Sequence, residues 1–308
     1  MAITAAMVKE LREITGAGMM DCKKALNETE GNIEEAVEYL RKNGQAKAEK
    51  KAGRIAAEGL CSVLVQDDKE AAIVEVNSET DFVAKNEKFQ LFVSQVAKQA
   101  LASSAPSMDV FMEEKWNADS NKTVKEVLIE QISVIGENLG IRRFEKVTAE
   151  HGCVVSYVHG GGRIGVVVEA DTDTVNDQVK EALSNIAMQV AALAPKYVSQ
   201  ADVSEEYKNH EKEILLAQAK NENPDKPDAI IEKMILGRLN KELKEVCLLE
   251  QVYVKAEDGK QTVGKYLEEV SKAVGTTITL NRFVRFETGE GIERKQEDFA
   301  AEVASQMK

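Results

Sequence analysis

The sequence predicts an α+β fold: a small N-terminal helical module, a core of two similar sheet-plus-helix halves, an inserted helical hairpin and a closing helix. Three observations carry this. The opening segment shows only helical spacing, alternating apolar segments then flank short turns, and the order hairpin, acidic loop, long helix occurs twice. At 308 residues, with 43% hydrophobic and 30% charged residues and only 4 prolines, the chain has the composition of a globular protein of more than one module.

In the first module Ile3, Met7, Leu11 and Ile14 form a helical stripe, broken by Gly16 and Gly18. A second helix starts near Met19, carries Leu26 and ends before Gly31. The third has Asn32 as N-cap with Glu35 three residues on, and places Ile33, Ala36, Val37 and Leu40 on one face. Three such helices with a glycine-bearing first loop resemble a ubiquitin-associated module. The basic stretch of Arg41, Lys42, Lys47, Lys50, Lys51 and Arg54, which straddles Asn43 and Gly44, reads as a solvated linker, so the module and its linker span 1–54.

Strand-like apolar runs at 60–65 and 71–76 flanking the turn residues Asp67 and Asp68 predict a hairpin opening the first core half, 55–150. Asn86 begins a helix whose Phe89, Phe92, Val93, Val96, Ala97, Ala100 and Leu101 recur at spacings of three and four. Thr123 and Glu126 form a capping box for a further helix, and 141–147 reads as a strand. The second half, 151–200 and 245–286, repeats the pattern. It has strands at 153–158 and 164–170, an acidic loop with Asp171 and Asp173, a helix bearing Val179, Leu183, Ile186 and Val190, and strand-like stretches at 252–254 and 278–286. Each half is expected to bury one sheet face under helices. Between its parts, 201–244 has a thin apolar seam of Tyr207, Ile214, Leu215, Ile231, Met234, Ile235, Leu239 and Leu243 around a turn at 223–227, which reads as an antiparallel coiled-coil hairpin. Phe299 and Val303 mark a C-terminal helix within 287–308.

A formal net charge of −13 opposes direct binding to phosphate backbones. The four cysteines, Cys22, Cys61, Cys153 and Cys247, are far apart and read as reduced structural thiols. No signal-peptide pattern or membrane-length apolar run is present, so a cytoplasmic protein is expected. Gly160, Gly161 and Gly162 lie between two strands rather than before a helix, which fits a turn and not a phosphate cradle. His151, Cys153 and His159 have no tetrahedral ligand spacing, and nothing assembles a nucleophile, a base and an orienting group. An interaction protein is favoured over an enzyme, with no cofactor, metal or small-molecule substrate. One loop stands out: Thr80, Asp81, Phe82 and Val83 put an aromatic beside a carboxylate just before a helix, where the residues taken alone favour Phe82 and Val83 as a staple of the helix entry.

Several stretches resemble the elongation factor Ts family. The run 8–12 with 15–26, the loop Glu75, Val76, Asn77 with 80–84, then Gly136, Glu137, Asn138, then Tyr157, His159 with 163–166, and finally Arg285, Phe286 with 289–293 match its motifs in order over essentially the whole length. The resemblance implies a nucleotide-exchange factor, without bond chemistry, whose partner is elongation factor Tu. It implies that Arg12, Met19 and Met20 lie on one contact surface, and that Thr80, Asp81, Phe82 and Val83 form the segment that displaces Mg²⁺ from the partner. The three glycines after His159, and Gln189 where a histidine often stands, depart from the family pattern. A hydrolase or metal enzyme built on the 151–163 hairpin, and a ubiquitin-associated-like adaptor, are the competing readings.

Overall fold

The computed structural model describes residues 3–222 and 226–293. The expected C-terminal helix around Phe299 and Val303, and part of the turn at 223–227, lie outside the described residues.

The chain opens with helices α1 (Ala5–Thr15), α2 (Met19–Glu28) and α3 (Ile33–Lys51). The Thr4 hydroxyl accepts the Met7 amide N–H to start α1, and Gly16 at φ 66° stops it in the left-handed region. Val8, Leu11, Cys22, Leu26 and Ala36 close the small core between the helices. The basic stretch corrects the linker reading. Arg41, Lys42, Lys47, Lys50 and Lys51 all lie on α3, which runs straight through Asn43 and Gly44, and only Arg54 lies beyond it. A mid-helix glycine costs about 1 kcal/mol. Tertiary contacts override that cost here: Gly44 is buried against Ser133 and Ile129, Arg41 pairs with Glu126 at 2.5 Å, and Ala48 joins the core of the next module.

That module contains β1 (Glu58–Gln66), β2 (Glu70–Ser78), α4 (Asp81–Ala84), α5 (Glu87–Ala102), α6 (Met108–Glu113), β3 (Lys115–Trp116), β4 (Asp119–Thr123), α7 (Val124–Ile135) and β5 (Leu139–Thr148). Strands β1, β2 and β5 form an antiparallel sheet in that order. Asp67 and Asp68 both take left-handed φ values, 53° and 56°, the conformation that primed hairpin turns need. The capping box at Thr123 and Glu126 is formed in both directions.

The second half contains β6 (Cys153–His159), β7 (Ile164–Asp171), α8 (Asp177–Leu193), α9 (Glu205–Glu222), α10 (Asp228–Val246), α11 (Val263–Val274) and β8 (Thr279–Glu287). Its sheet, β6-β7-β8, has the same antiparallel order as the first. Residues 252–254 are not a strand. One bridge, Val252 to Thr262, and a Tyr253 N–H to Gln261 bond are all the pairing they make among the described residues. Helices α9 and α10 leave and rejoin the body at one point, where Tyr197 and Cys247 pair and the Leu248 N–H donates to the Tyr197 carbonyl. Between them lie Leu215, Leu239 and Leu243 near the body, and Ala219, Ile231 and Ile235 further out.

The two sheets face each other, which extends the expectation of one buried face per half. On β2, Ala72, Val74 and Val76 turn toward Phe89, Phe92 and Val96 of α5, whereas Ala71 and Ile73 turn toward Val154, Val167, Val284 and Phe286 of the other sheet. The second sheet does the same, with Val166, Val168 and Ala170 under α8. Gly165 permits the approach: a Cβ there would stand 3.2 Å from both Cys61 Cβ and Ile73 Cδ1.

Candidate partner-binding surface

Residues 78–84 leave the end of β2 and turn into the single-turn helix α4. Thr80 is its N-cap, and the Thr80 hydroxyl accepts the Val83 N–H at 3.3 Å. Glu137, in the loop between α7 and β5, braces this turn. Its Oε2 accepts the Glu79 and Thr80 amides at 3.1 and 3.0 Å, and its Oε1 accepts the Thr80 hydroxyl at 2.7 Å. The contact is reciprocal, because Glu79 Oε1 accepts the Asn138 N–H at 2.5 Å. Arg54 joins from the end of the N-terminal module: its guanidinium lies 3.4 Å from Glu79, and its carbonyl accepts the Asn138 side-chain amide at 2.8 Å.

On this braced turn the two hydrophobic side chains separate. Val83 packs on the first core, so half of the staple reading holds. Phe82 does not pack: it is 80% exposed. Burying a phenylalanine is worth about 1.5–3 kcal/mol, which the free chain forgoes at this position. Asp81 is exposed beside it, and the hydrogen bond and charge of Lys85, 2.7 Å away, hold its carboxyl below the ordinary aspartate range.

Arg12, Met19 and Met20 gather around the α1–α2 turn, away from α4 in the chain. Arg12 is exposed, and Met19 and Met20 are 60% and 75% exposed. Ile14, expected on the buried stripe, is exposed as well and widens the apolar surface. The turn beneath is firm, since Gly16 N–H bonds the Arg12 carbonyl at 2.8 Å and the buried Cys22 thiol donates to Ala17 O at 3.7 Å.

Other candidate positions are used within the fold. All four cysteines are buried and unpaired; burial pushes the Cys61 and Cys247 thiols up to about 11. Cys153 lies in the second core, and His159 Nδ1 shares a hydrogen bond with the Tyr157 hydroxyl at 3.0 Å. Asp171 accepts from Asn281. Gly160, Gly161 and Gly162 form the hairpin turn between β6 and β7, all at positive φ. The buried Gln189 fastens the irregular 251–254 segment, donating to Gln251 Oε1 and Val252 O at 3.1 Å each and accepting the Val254 N–H at 2.8 Å.

The family model described as Elongation factor TS matches residues 79–290, a span that begins at the braced turn and includes Glu137. Elongation factor Ts of Clostridium novyi (strain NT) is 54% identical over 306 residues, 99% of each chain. That of Clostridioides difficile (strain 630) is 54% identical over 307 residues, again 99% of each, and that of Clostridium perfringens (strain SM101 / Type A) is 53% identical over 303 residues, 98% of each. The chain belongs to the elongation factor Ts family.

Two of the family motifs recognised in the sequence meet in space at a place that sequence reasoning did not mark as a site. Glu75, on the inner face of β2, is fully buried and accepts from Arg142 at 3.0 Å, Arg143 Nε at 2.6 Å, the Asn77 amide at 3.0 Å and the Gly289 N–H at 2.8 Å. Arg143 also stacks over Phe286, 4.2 Å from the ring centroid, and reaches Glu290 at 3.1 Å. Burial pushes the Glu75 carboxyl up, but the four donors outweigh it and hold the group below the ordinary glutamate range. In this member of the elongation factor Ts family the cluster ties the end of β8 to the first sheet. No helix among the described residues is long and apolar enough to cross a membrane.

Proposed function

We propose that this chain is a guanine-nucleotide exchange factor that binds elongation factor Tu in the cytoplasm and speeds release of its GDP without bond chemistry of its own. The observation that carries the reading is a phenylalanine held in water: Phe82 is 80% exposed on a turn that Glu137, Glu79 and Asn138 lock in place. An aromatic kept out of the core by a rigid frame is suited to wedge into a partner. In P-loop GTPases the metal bridges phosphates and protein, so a wedge and a carboxylate at Asp81 that disturb Mg²⁺ loosen the nucleotide. Arg12, Met19 and Met20 supply a second contact on the N-terminal module, read as ubiquitin-associated-like, and the α9–α10 pair is read as a coiled-coil hairpin. No nucleic acid, cofactor or small-molecule substrate takes part.

The test is release of labelled GDP from elongation factor Tu. Phe82→Ala is expected to slow release about thirtyfold, the equivalent of roughly 2 kcal/mol of partner contact, with the thermal midpoint little changed. A large drop in midpoint with release intact would make Phe82 a structural residue and remove the basis of the proposal.

A further inference from the structure

We propose that Glu137 is a positioning residue for exchange, acting on Phe82 through the Thr80 hydroxyl; the inference rests on the exchange reading above. Glu137 makes the brace but stands outside the turn that presents the aromatic. All three groups it meets are donors, two amides and a hydroxyl, so its carboxyl oxygens act as acceptors in every one of these bonds. The Thr80 hydroxyl has a single proton, and Glu137 Oε1 at 2.7 Å takes it. The lone pairs of the Thr80 hydroxyl oxygen are then free to accept the Val83 N–H at 3.3 Å, the bond that closes the first turn of α4 around Phe82. Meanwhile Oε2 collects the Glu79 and Thr80 amides, so one side chain satisfies three donors of the turn. The 2.7 Å bond from the Thr80 hydroxyl has the length of a charge-assisted one, the stronger kind.

A glutamine at this position offers one acceptor oxygen and an NH₂ that donates, so it cannot take all three. The Thr80 hydroxyl would then accept from that NH₂ and its own proton would lose the acceptor it has in Glu137, so the turn would loosen. Phe82 would still be present and exposed, but its direction would have to be fixed when the partner binds rather than beforehand. The expected signature is therefore a fall in the maximal rate of GDP release, with the factor concentration giving half that rate much less affected, because the surface at Arg12, Met19 and Met20 is untouched.

The experiment uses the full chain and three variants: Glu137→Gln, Phe82→Ala and the double variant. Glu137→Gln is expected to lower the maximal release rate about tenfold and to speed amide hydrogen exchange at Thr80 and Val83 by a similar factor. In the Phe82→Ala background the same change should cost less than about twofold, since a residue that acts through Phe82 has nothing left to position. Equal losses in both backgrounds, or unchanged amide protection at Thr80 and Val83, would overturn the positioning role while leaving the exchange reading intact. A wild-type chain that leaves GDP bound would overturn the exchange reading itself, and the role assigned to Glu137 with it.

Discussion

The sheet core and the α9–α10 pair each place a glutamate among apolar neighbours, and they resolve its charge in opposite ways. Glu75 is fully buried, yet its carboxyl is held below the ordinary range by Gly289, Asn77, Arg142 and Arg143. Glu242 on α10 is only half-buried, yet its carboxyl is pushed up, by burial first and then by the charge of Glu211 on α9, against which Lys196 gives partial relief. Glu211 shares a stripe with Tyr207, Leu215 and Ala219 at intervals of four, so it turns into the seam between the helices. The contrast reflects the backbone. Where a strand meets a turn, as at Gly289, a main-chain N–H is available to a carboxylate. Inside a helix every N–H is already spent on the carbonyl four residues back, so a carboxylate in a two-helix seam can meet only other side chains.

The largest expected effect is at Glu75. Glu75→Ala removes the acceptor shared by Arg142, Arg143, the Asn77 amide and the buried Gly289 N–H, and should cost about 3–5 kcal/mol in urea unfolding, as removal of one member of a buried ion pair does. A loss below about 1 kcal/mol would mean that the cluster is solvated in practice and that the contrast with Glu242 is one of degree. At Glu242 the sign reverses. A carboxyl whose folded value is raised gains stability as pH falls toward it, whereas the contribution of Glu75 is fully present above the ordinary value of ~4.3 and is lost as pH drops through its lower folded value. Between neutrality and about pH 4.5, amide protection in α9 and α10 should rise while that of β2 holds steady. Glu242→Gln should abolish the rise and add up to about 1 kcal/mol to the pair at pH 7. A hairpin that loosens on mild acidification would show that Glu211 and Glu242 do not share the seam. The smallest effect is expected at Arg41, whose 2.5 Å pair with Glu126 is partly exposed: Arg41→Ala should cost only about 0.2–1 kcal/mol, and a larger loss would show that the N-terminal module docks on α7 more tightly than its surface charges account for.

Legibility followed the same division between local and distant causes. The capping box at Thr123, the α5 stripe from Phe89 to Leu101 and the hairpin turn at Asp67 and Asp68 are set by neighbours within four residues, and they appear where periodicity placed them. The course of α3 through Gly44 was not legible, because its cause is the face of α7, over eighty residues away in the chain. Helix α11 was missed, and 252–254 was read as a strand because Val252, Tyr253 and Val254 have strand propensity; the cross-chain anchor at Gln189 decides their shape instead. Of the candidate site, Phe82 was visible as an oddity of the loop. Its exposure was not, since the same residues could have stapled the helix. Glu137 was noticed only as part of a family motif, for its three partners are more than fifty residues earlier.

The unbroken run of α3 changes how the two exposed surfaces can act together. Nineteen helical residues span about 28 Å, and the last turn of that rod hands directly to Arg54, which grips Glu79 and Asn138. A floppy tether would let the module around Met19 and Met20 search a volume after Phe82 had engaged, and each doubling of its length would dilute that search only modestly. A rod docked on α7 does something else. On the proposed exchange reading it makes the separation of the two surfaces a fixed ruler, so a partner whose own sites match the ruler would meet the second surface at a very high effective concentration, and one whose sites move apart would lose both.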